Sequence, residues 1–171
     1  MPADLQALVR APAWRWMPGM RGSDDAGRAF RVRTALTSKH DGIVDYEPCP
    51  YTFGGMTRQL LRPVASRPDL TDPATLGCML ALAREAWSDP TLHLQPFEAD
   101  YCGEPRTLWV IASKPIGENP RYLSVDDGLE ADGGLTCEWV DHIVHATWFR
   151  AEGDALAAAI IAAPVSPAGA P

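Results

Sequence analysis

The chain has 171 residues, 46% of them apolar and 22% charged, close to the balance of an ordinary globular protein, so disorder is not its default state. That length fits one domain with a sizeable core. The net charge of −7 divides unevenly, with ten Lys/Arg against six Asp/Glu in residues 1–67 and five against sixteen in residues 68–171, which disfavours general DNA binding and predicts an electrically two-sided molecule.

Thirteen of the fifteen basic residues are arginine, a side chain suited to bidentate recognition of phosphate or carboxylate. The N-terminus MPADLQALVRAPAWRW has no apolar run long enough for a signal-peptide core, and no stretch approaches the roughly 18 apolar residues of a membrane span. A soluble protein of the cytoplasm is expected. Cys49, Cys78, Cys102 and Cys137 form no CxxC pair and are expected as free thiols.

In chain order, DLQALVR predicts one or two helical turns, and APAWRWMPGM a loop anchored by its aromatics. From Arg28 the chain alternates, with Phe30 and Val32 on one side and Arg31 and Arg33 on the other: an amphipathic strand returning from a hairpin turn at GSDDAG. Residues 39–70 are rich in proline and glycine and predict loop, with a short helix at MTRQLL. Asp72 as N-cap, Pro73 at the first helical position and the repeat Leu76, Met79, Leu80, Ala83, Trp87 predict a buried helix over about 73–88. Gly77 and Cys78, both small, predict a close approach by another element. TLHLQPF and TLWVIASK then predict antiparallel strands, RYLSV a third, and GDALAAAIIAAP a C-terminal helix over about 154–163 with Asp154 as its N-cap. The expectation is one α+β domain over 1–164, its mostly antiparallel sheet covered by these two helices, with a disordered tail at 165–171.

CEWVDHIVHATWFR, residues 137–150, gathers metal-ligand types, but its dense β-branched and aromatic residues predict an interior strand. Period two then sends His142 and His145 to opposite faces, and leaves Cys137, Asp141 and His145 on one face but four residues apart, about 13 Å per step at 3.3 Å per residue. His145 is expected as a partly buried, hydrogen-bonded residue beside Asp141. HAT at 145–147 fits one half of the paired HxT motif of two-histidine phosphoesterases, and no second HxS or HxT exists. Phosphate-loop, HExxH, GxSxG and GxGxxG signatures are absent as well. The double glycine of TFGGM reads as a tight turn, and the acidic run Asp126, Asp127, Glu130, Asp132 does not have calcium-loop spacing.

WRWMPGM (14–20), DLTDPATLGCMLALAREAW (69–87) and HATWFRAEGDALAAAIIAAP (145–164) resemble small phage and prophage accessory proteins. The resemblance implies a viral or mobile-element origin and carries no activity with it. In that class, binding is the common mode of action, and an anti-defence role is the expectation it raises. The first expectation is therefore a non-enzymatic, homo-oligomeric binding protein that sequesters an anionic small molecule such as a nucleotide signal. Its candidate contacts are Trp14, Arg15, Trp16, Arg31, Arg33, Tyr51 and Arg58, the aromatic faces stacking a base and the guanidiniums holding phosphate. No cofactor, metal or catalytic residue is expected with it. The alternatives are a module binding a host protein, with the acidic half mimicking nucleic acid, and a hydrolase built on His142, His145, Asp141 or Cys137.

Overall fold

The structure, a computed structural model of the chain, describes residues 4–34, 43–46, 59–60, 65–101, 104–127 and 135–164. The expected tail at 165–171 lies outside them, as do Cys49 and Cys102; Cys78 and Cys137 are free thiols.

Helix α1 (Leu5–Arg10) starts at Asp4, whose carboxylate accepts the amides of Gln6 and Ala7. The loop that follows buries Trp14, Trp16 and Met20. It leads into a sheet whose described strands are β1 (Arg21–Ser23), β2 (Ala29–Thr34), β3 (Ile43–Tyr46), β4 (Gln59–Leu60) and β5 (Arg67–Pro68), in the order β4-β3-β2-β1-β5 and antiparallel throughout. The GSDDAG turn joins β1 to β2 as expected. Asp24 accepts the Ala26 and Arg28 amides, and Gly27 takes a φ of 77°, which glycine adopts without steric cost. The predicted alternation on β2 also holds, with Phe30 and Val32 buried, Arg33 exposed and Arg31 half-buried. The short helix expected at MTRQLL is corrected: Gln59 and Leu60 pair with β3 as a strand.

Helix α2 (Pro73–Ala86) begins at Asp72, which accepts the Thr75 amide at 2.9 Å. It ends in a Schellman turn: the Ser88 amide bonds the Glu85 carbonyl and the Asp89 amide bonds that of Arg84. Ser88 holds a φ of 51° where glycine is usual, a strain of roughly 1 kcal/mol for a residue with a Cβ. The second sheet follows in the order β6-β7-β8-β9, with β6 (His93–Tyr101), β7 (Glu104–Ser113), β8 (Arg121–Asp127) and β9 (Leu135–Val140). On its outer edge β6 carries Pro96 opposite Trp109. Trp109 turns its own amide and carbonyl away from β6, toward Phe149, so Pro96 occupies a position whose backbone faces the free edge. A missing N–H there breaks no ladder bond and blunts the edge against pairing with another chain.

The predicted interior strand over 137–150 is corrected at its middle. Only residues up to Val140 form β9, and β9 is an edge strand. The chain then turns through a 3₁₀ segment (Ile143–His145) and comes back between β7 and β8, which pair directly only at Ala112–Tyr122 and Ser113–Arg121. Trp109 and Phe149 exchange backbone bonds of 2.8 and 2.9 Å. The Thr147 hydroxyl accepts from the Val125 amide at 2.7 Å and donates to the Val125 carbonyl at 2.9 Å. Thr147 thus substitutes for the missing strand neighbour of β8.

Helix α3 (Glu152–Ile161) starts two residues before the expected N-cap, with Asp154 inside its first turn beside Glu152, where carboxylates favour the helix dipole. Its Ala155, Leu156, Ala157, Ala159 and Ile160 are all buried, so the helix is enclosed rather than amphipathic. Both described sheets and all three described α-helices contribute to one core, which includes Leu8, Phe30, Met79, Leu82, Ile111, Leu123 and Leu156, and the described chain is a single α+β domain. Of the pair predicted to admit a close approach, Cys78 meets the Pro18 carbonyl oxygen at 3.8 Å, and a tighter approach than at Gly77 occurs at Gly153. A Cβ at Gly77 would meet nothing within 4 Å, whereas one at Gly153 would stand 2.5 Å from the Leu70 Cβ and 2.6 Å from the Leu70 carbonyl oxygen. Gly153→Ala is expected to cost about 1–3 kcal/mol by overpacking, outweighing the better helix propensity of alanine. Thermal denaturation checks this, and Leu70→Gly should not restore the loss, because the carbonyl remains in the way.

Candidate functional site

Two clefts on the described surface contain arginine and tryptophan together. The larger, about 550 Å³, lies between the loop Pro12, Ala13, Trp14, Arg15 and the C-terminal turns of α2 and α3. Its cation is already engaged. Arg15 makes a bidentate pair with Glu85, at 2.9 Å to Oε1 and 2.5 Å to Oε2, a bond that raises the Arg15 pKa and lowers that of Glu85. Trp14 presents little of its surface, and its indole Nε1 is buried without a partner.

The other expected contacts do not gather there. Trp16 is 6% exposed, packed edge-on to Trp14 and against Phe30 as a core side chain. Arg31 donates to the Gly19 carbonyl at 2.7 Å and to Asp72 at 3.2 Å. Asp72 caps the start of α2 and Glu85 stands in its last turn, so the carboxylates held by Arg31 and Arg15 are separated by about 20 Å of helix at 1.5 Å per residue. Arg33 is exposed on β2. Tyr51 and Arg58 lie outside the described residues, as do Glu130, Asp132 and the side chains of Asp126 and Asp127, on which the acidic mimic was based.

The combination expected at residues 14–33, a guanidinium with indoles, is found at the second cleft, of about 450 Å³. It is lined by Trp87, Ser88, Asp89, Pro90, Thr91, Pro115, Ile116, Arg121 and Trp139. Trp87 caps the C-terminus of α2, and its Nε1 donates to the Ala159 carbonyl of α3 at 2.8 Å. Trp139 reaches it from β9, edge to face with centroids 5.4 Å apart. Tyr122 pairs with Val140, which puts Arg121 one step along β8 in a diagonal position to Trp139, and the guanidinium lies over that ring, 5.4 Å from its centroid.

Among the described residues nothing accepts a hydrogen bond from Arg121, and its Nε is buried and unpartnered. An unsatisfied buried donor costs about 1–3 kcal/mol. Asp89 also lines the cleft. Its carboxylate accepts from the Thr91 amide and hydroxyl and from the Ser113 hydroxyl. Burial pushes the Asp89 pKa up, but these bonds and the charge of Arg121 outweigh it and leave the pKa lowered, so the group is ionised near neutral pH.

His142 and His145 line neither cleft. Because the strand stops at Val140, His142 and His145 are not sent to opposite faces; their rings lie 6.3 Å apart on the 3₁₀ turn. His145 is exposed, not partly buried. Thr147 of the HAT triplet spends its hydroxyl on the β8 backbone, and among the described residues no three His, Cys, Asp or Glu side chains are grouped to hold a metal. No helix among the described residues is long and apolar enough to cross a membrane. No protein-family model, curated protein or solved structure matches the chain.

Proposed function

We propose that this chain is a non-enzymatic binding protein that holds an anionic small molecule, nucleotide-like in its chemistry, in the cleft between Trp87, Arg121 and Trp139. One observation carries the reading: a guanidinium that makes no hydrogen bond or ion pair among the described residues, with its Nε orphaned, lies on an indole face at the wall of a cleft large enough for a mononucleotide. An Arg fork for an oxyanion and an indole for a ring are the two elements by which proteins take up such ligands. The likeness to phage accessory proteins extends the proposal to a biological role. A homo-oligomer in the host cytoplasm would keep a small anionic signal away from a defence receptor.

Calorimetry of the purified protein against cyclic nucleotides and ADP-ribose tests the site. Arg121→Ala is expected to weaken binding about 10- to 100-fold, the worth of a charge-assisted hydrogen bond, measured on protein that circular dichroism shows to be folded. Arg121→Lys, which keeps the charge and loses the fork, should fall between the two. Silence across the panel at millimolar ligand, or equal affinity in Arg121→Ala, overturns the assignment.

A further inference from the structure

We propose that the cleft selects a planar aromatic compound bearing a single anionic group, and that Ile116 forms the apolar wall that closes over its ring. This rests on the assignment of Arg121 as the anion contact. The charge of the lining is the first reason. Nine of the described residues line the cleft, and among them Arg121 and Asp89 are the two charged ones, one of each sign. Asp89 is fixed in place by three donors from Thr91 and Ser113, so it can neither turn away nor be exchanged for a phosphate oxygen. Lys114 and Glu118, exposed on either side of the adjoining turn, add one more charge of each sign. A triphosphate therefore meets no net positive charge among the described lining residues, and its further phosphates find no second guanidinium there. A lone phosphodiester or carboxylate takes the guanidinium and leaves Asp89 undisturbed.

The apolar lining is the second reason. Apart from Arg121 and Asp89 the cleft presents two indoles, two prolines and an isoleucine beside Ser88 and Thr91. Ile116 is 100% exposed. It sits at the second position of a β-turn closed by the Glu118 amide on the Pro115 carbonyl at 3.1 Å, with Gly117 at a φ of 81° in the third, the geometry of a type II turn. Prolines at 115 and 120 restrict the backbone on either side, so the loop between β7 and β8 holds an isoleucine at the rim of the cleft with nothing covering it. A ring stacked beside Trp139 would cover it.

Full exposure makes the test selective, because a residue that touches nothing in the free protein has no folding role to lose. Four probes are titrated into the whole protein with tryptophan fluorescence and calorimetry as readouts: cyclic AMP, a monoanionic phosphodiester; indole-3-acetate, a monoanionic carboxylate; adenosine, uncharged; and ATP, a polyanion. At least one monoanion is expected to bind roughly tenfold tighter than both adenosine and ATP, and Ile116→Ser to weaken it about three- to tenfold with an unchanged thermal midpoint. Preference for the phosphodiester assigns the ligand to the nucleotides, and preference for the carboxylate to the aromatic acids; either supports the selection. ATP binding as tightly as the monoanions overturns the selection while leaving the Arg121 assignment standing. Unchanged affinity in Ile116→Ser removes the isoleucine wall. Binding that is indifferent to Arg121→Ala removes the underlying assignment itself.

Discussion

Trp16→Ala is expected to destabilise the protein by about 3–5 kcal/mol, the range for truncating a large buried aromatic. Trp16 is 6% exposed and lies edge to face with Trp14 at 5.6 Å and tilted on Phe30 at 5.4 Å. Each such ring pair adds about 0.5–1.5 kcal/mol beyond the area it buries. The backbone is shaped around it as well, since a Cβ on Gly22 would stand 2.8 Å from the Trp16 ring and 2.6 Å from the Arg67 carbonyl oxygen. Denaturant unfolding measures the loss. The outcome also separates two roles for this tryptophan: a ligand platform would give an unchanged midpoint and lost binding, whereas a core residue gives a large drop in midpoint.

That distinction shows what the sequence made legible and what it did not. Helix α2 was readable because its start is written locally: Asp72 caps, Pro73 pre-sets the first φ, and apolar residues recur at three and four. The alternation on β2 was readable for the same reason, since one buried face suffices to impose period two. The break after Val140 carries no local signal. Asp141 and His142 are neither glycine nor proline, and Ile143 and Val144 have the composition of a strand, yet they form an exposed 3₁₀ turn. What decides it is non-local. β7 and β8 splay after two pairs, and the gap is filled by Thr147 and Phe149, whose partners Val125 and Trp109 are distant in sequence. Gly153 misled in the other direction, reading as a residue before a helix when it is inside one, because the reason for it is Leu70.

The candidate site was legible in kind but not in place. An arginine-rich, tryptophan-bearing chain suggested a guanidinium beside an indole, and Trp14, Arg15 and Trp16 supplied both within three residues. Neighbours in a loop share neither direction nor burial, and here the tryptophans turn inward while Arg15 turns out to Glu85. Arg121 and Trp139 come instead from adjacent strands, and Trp87 from the end of a helix. The pairing register that makes Arg121 and Trp139 diagonal neighbours is set by the whole second sheet. The available signals were a tryptophan just before an Asp-Pro helix stop and an arginine following a proline at a strand start, both compatible with many other folds.

Asp72→Ala is expected to cost about 2–4 kcal/mol, because one carboxylate joins the first sheet to α2: about 1 for the N-cap and about 1–3 for the donors left behind. Asp72 accepts from the Thr75 amide and hydroxyl, both at 2.9 Å, and from Arg31 of β2 at 3.2 Å, with its own side chain only 9% exposed. The buried Thr75 hydroxyl in turn accepts the Arg21 amide of β1 at 2.8 Å, so losing the carboxylate loosens the hydroxyl that holds β1. Burial alone would push the Asp72 pKa up from its ordinary 3.8, but the Thr75 bonds and the Arg31 charge outweigh it and the pKa is lowered. A carboxyl that is more acidic folded than unfolded stabilises fully above its unfolded pKa, and that stabilisation is lost as pH falls through the folded value. Wild-type stability should therefore fall on acidification below about pH 4 more steeply than that of Asp72→Asn, which keeps an N-cap acceptor and cannot titrate. Asp89 is shifted in the same direction and acts in both proteins, so the difference between the two denaturation curves isolates Asp72. A difference that stays constant from pH 6 to pH 2 would show that the Arg31 and Thr75 contacts do not hold the carboxylate in solution.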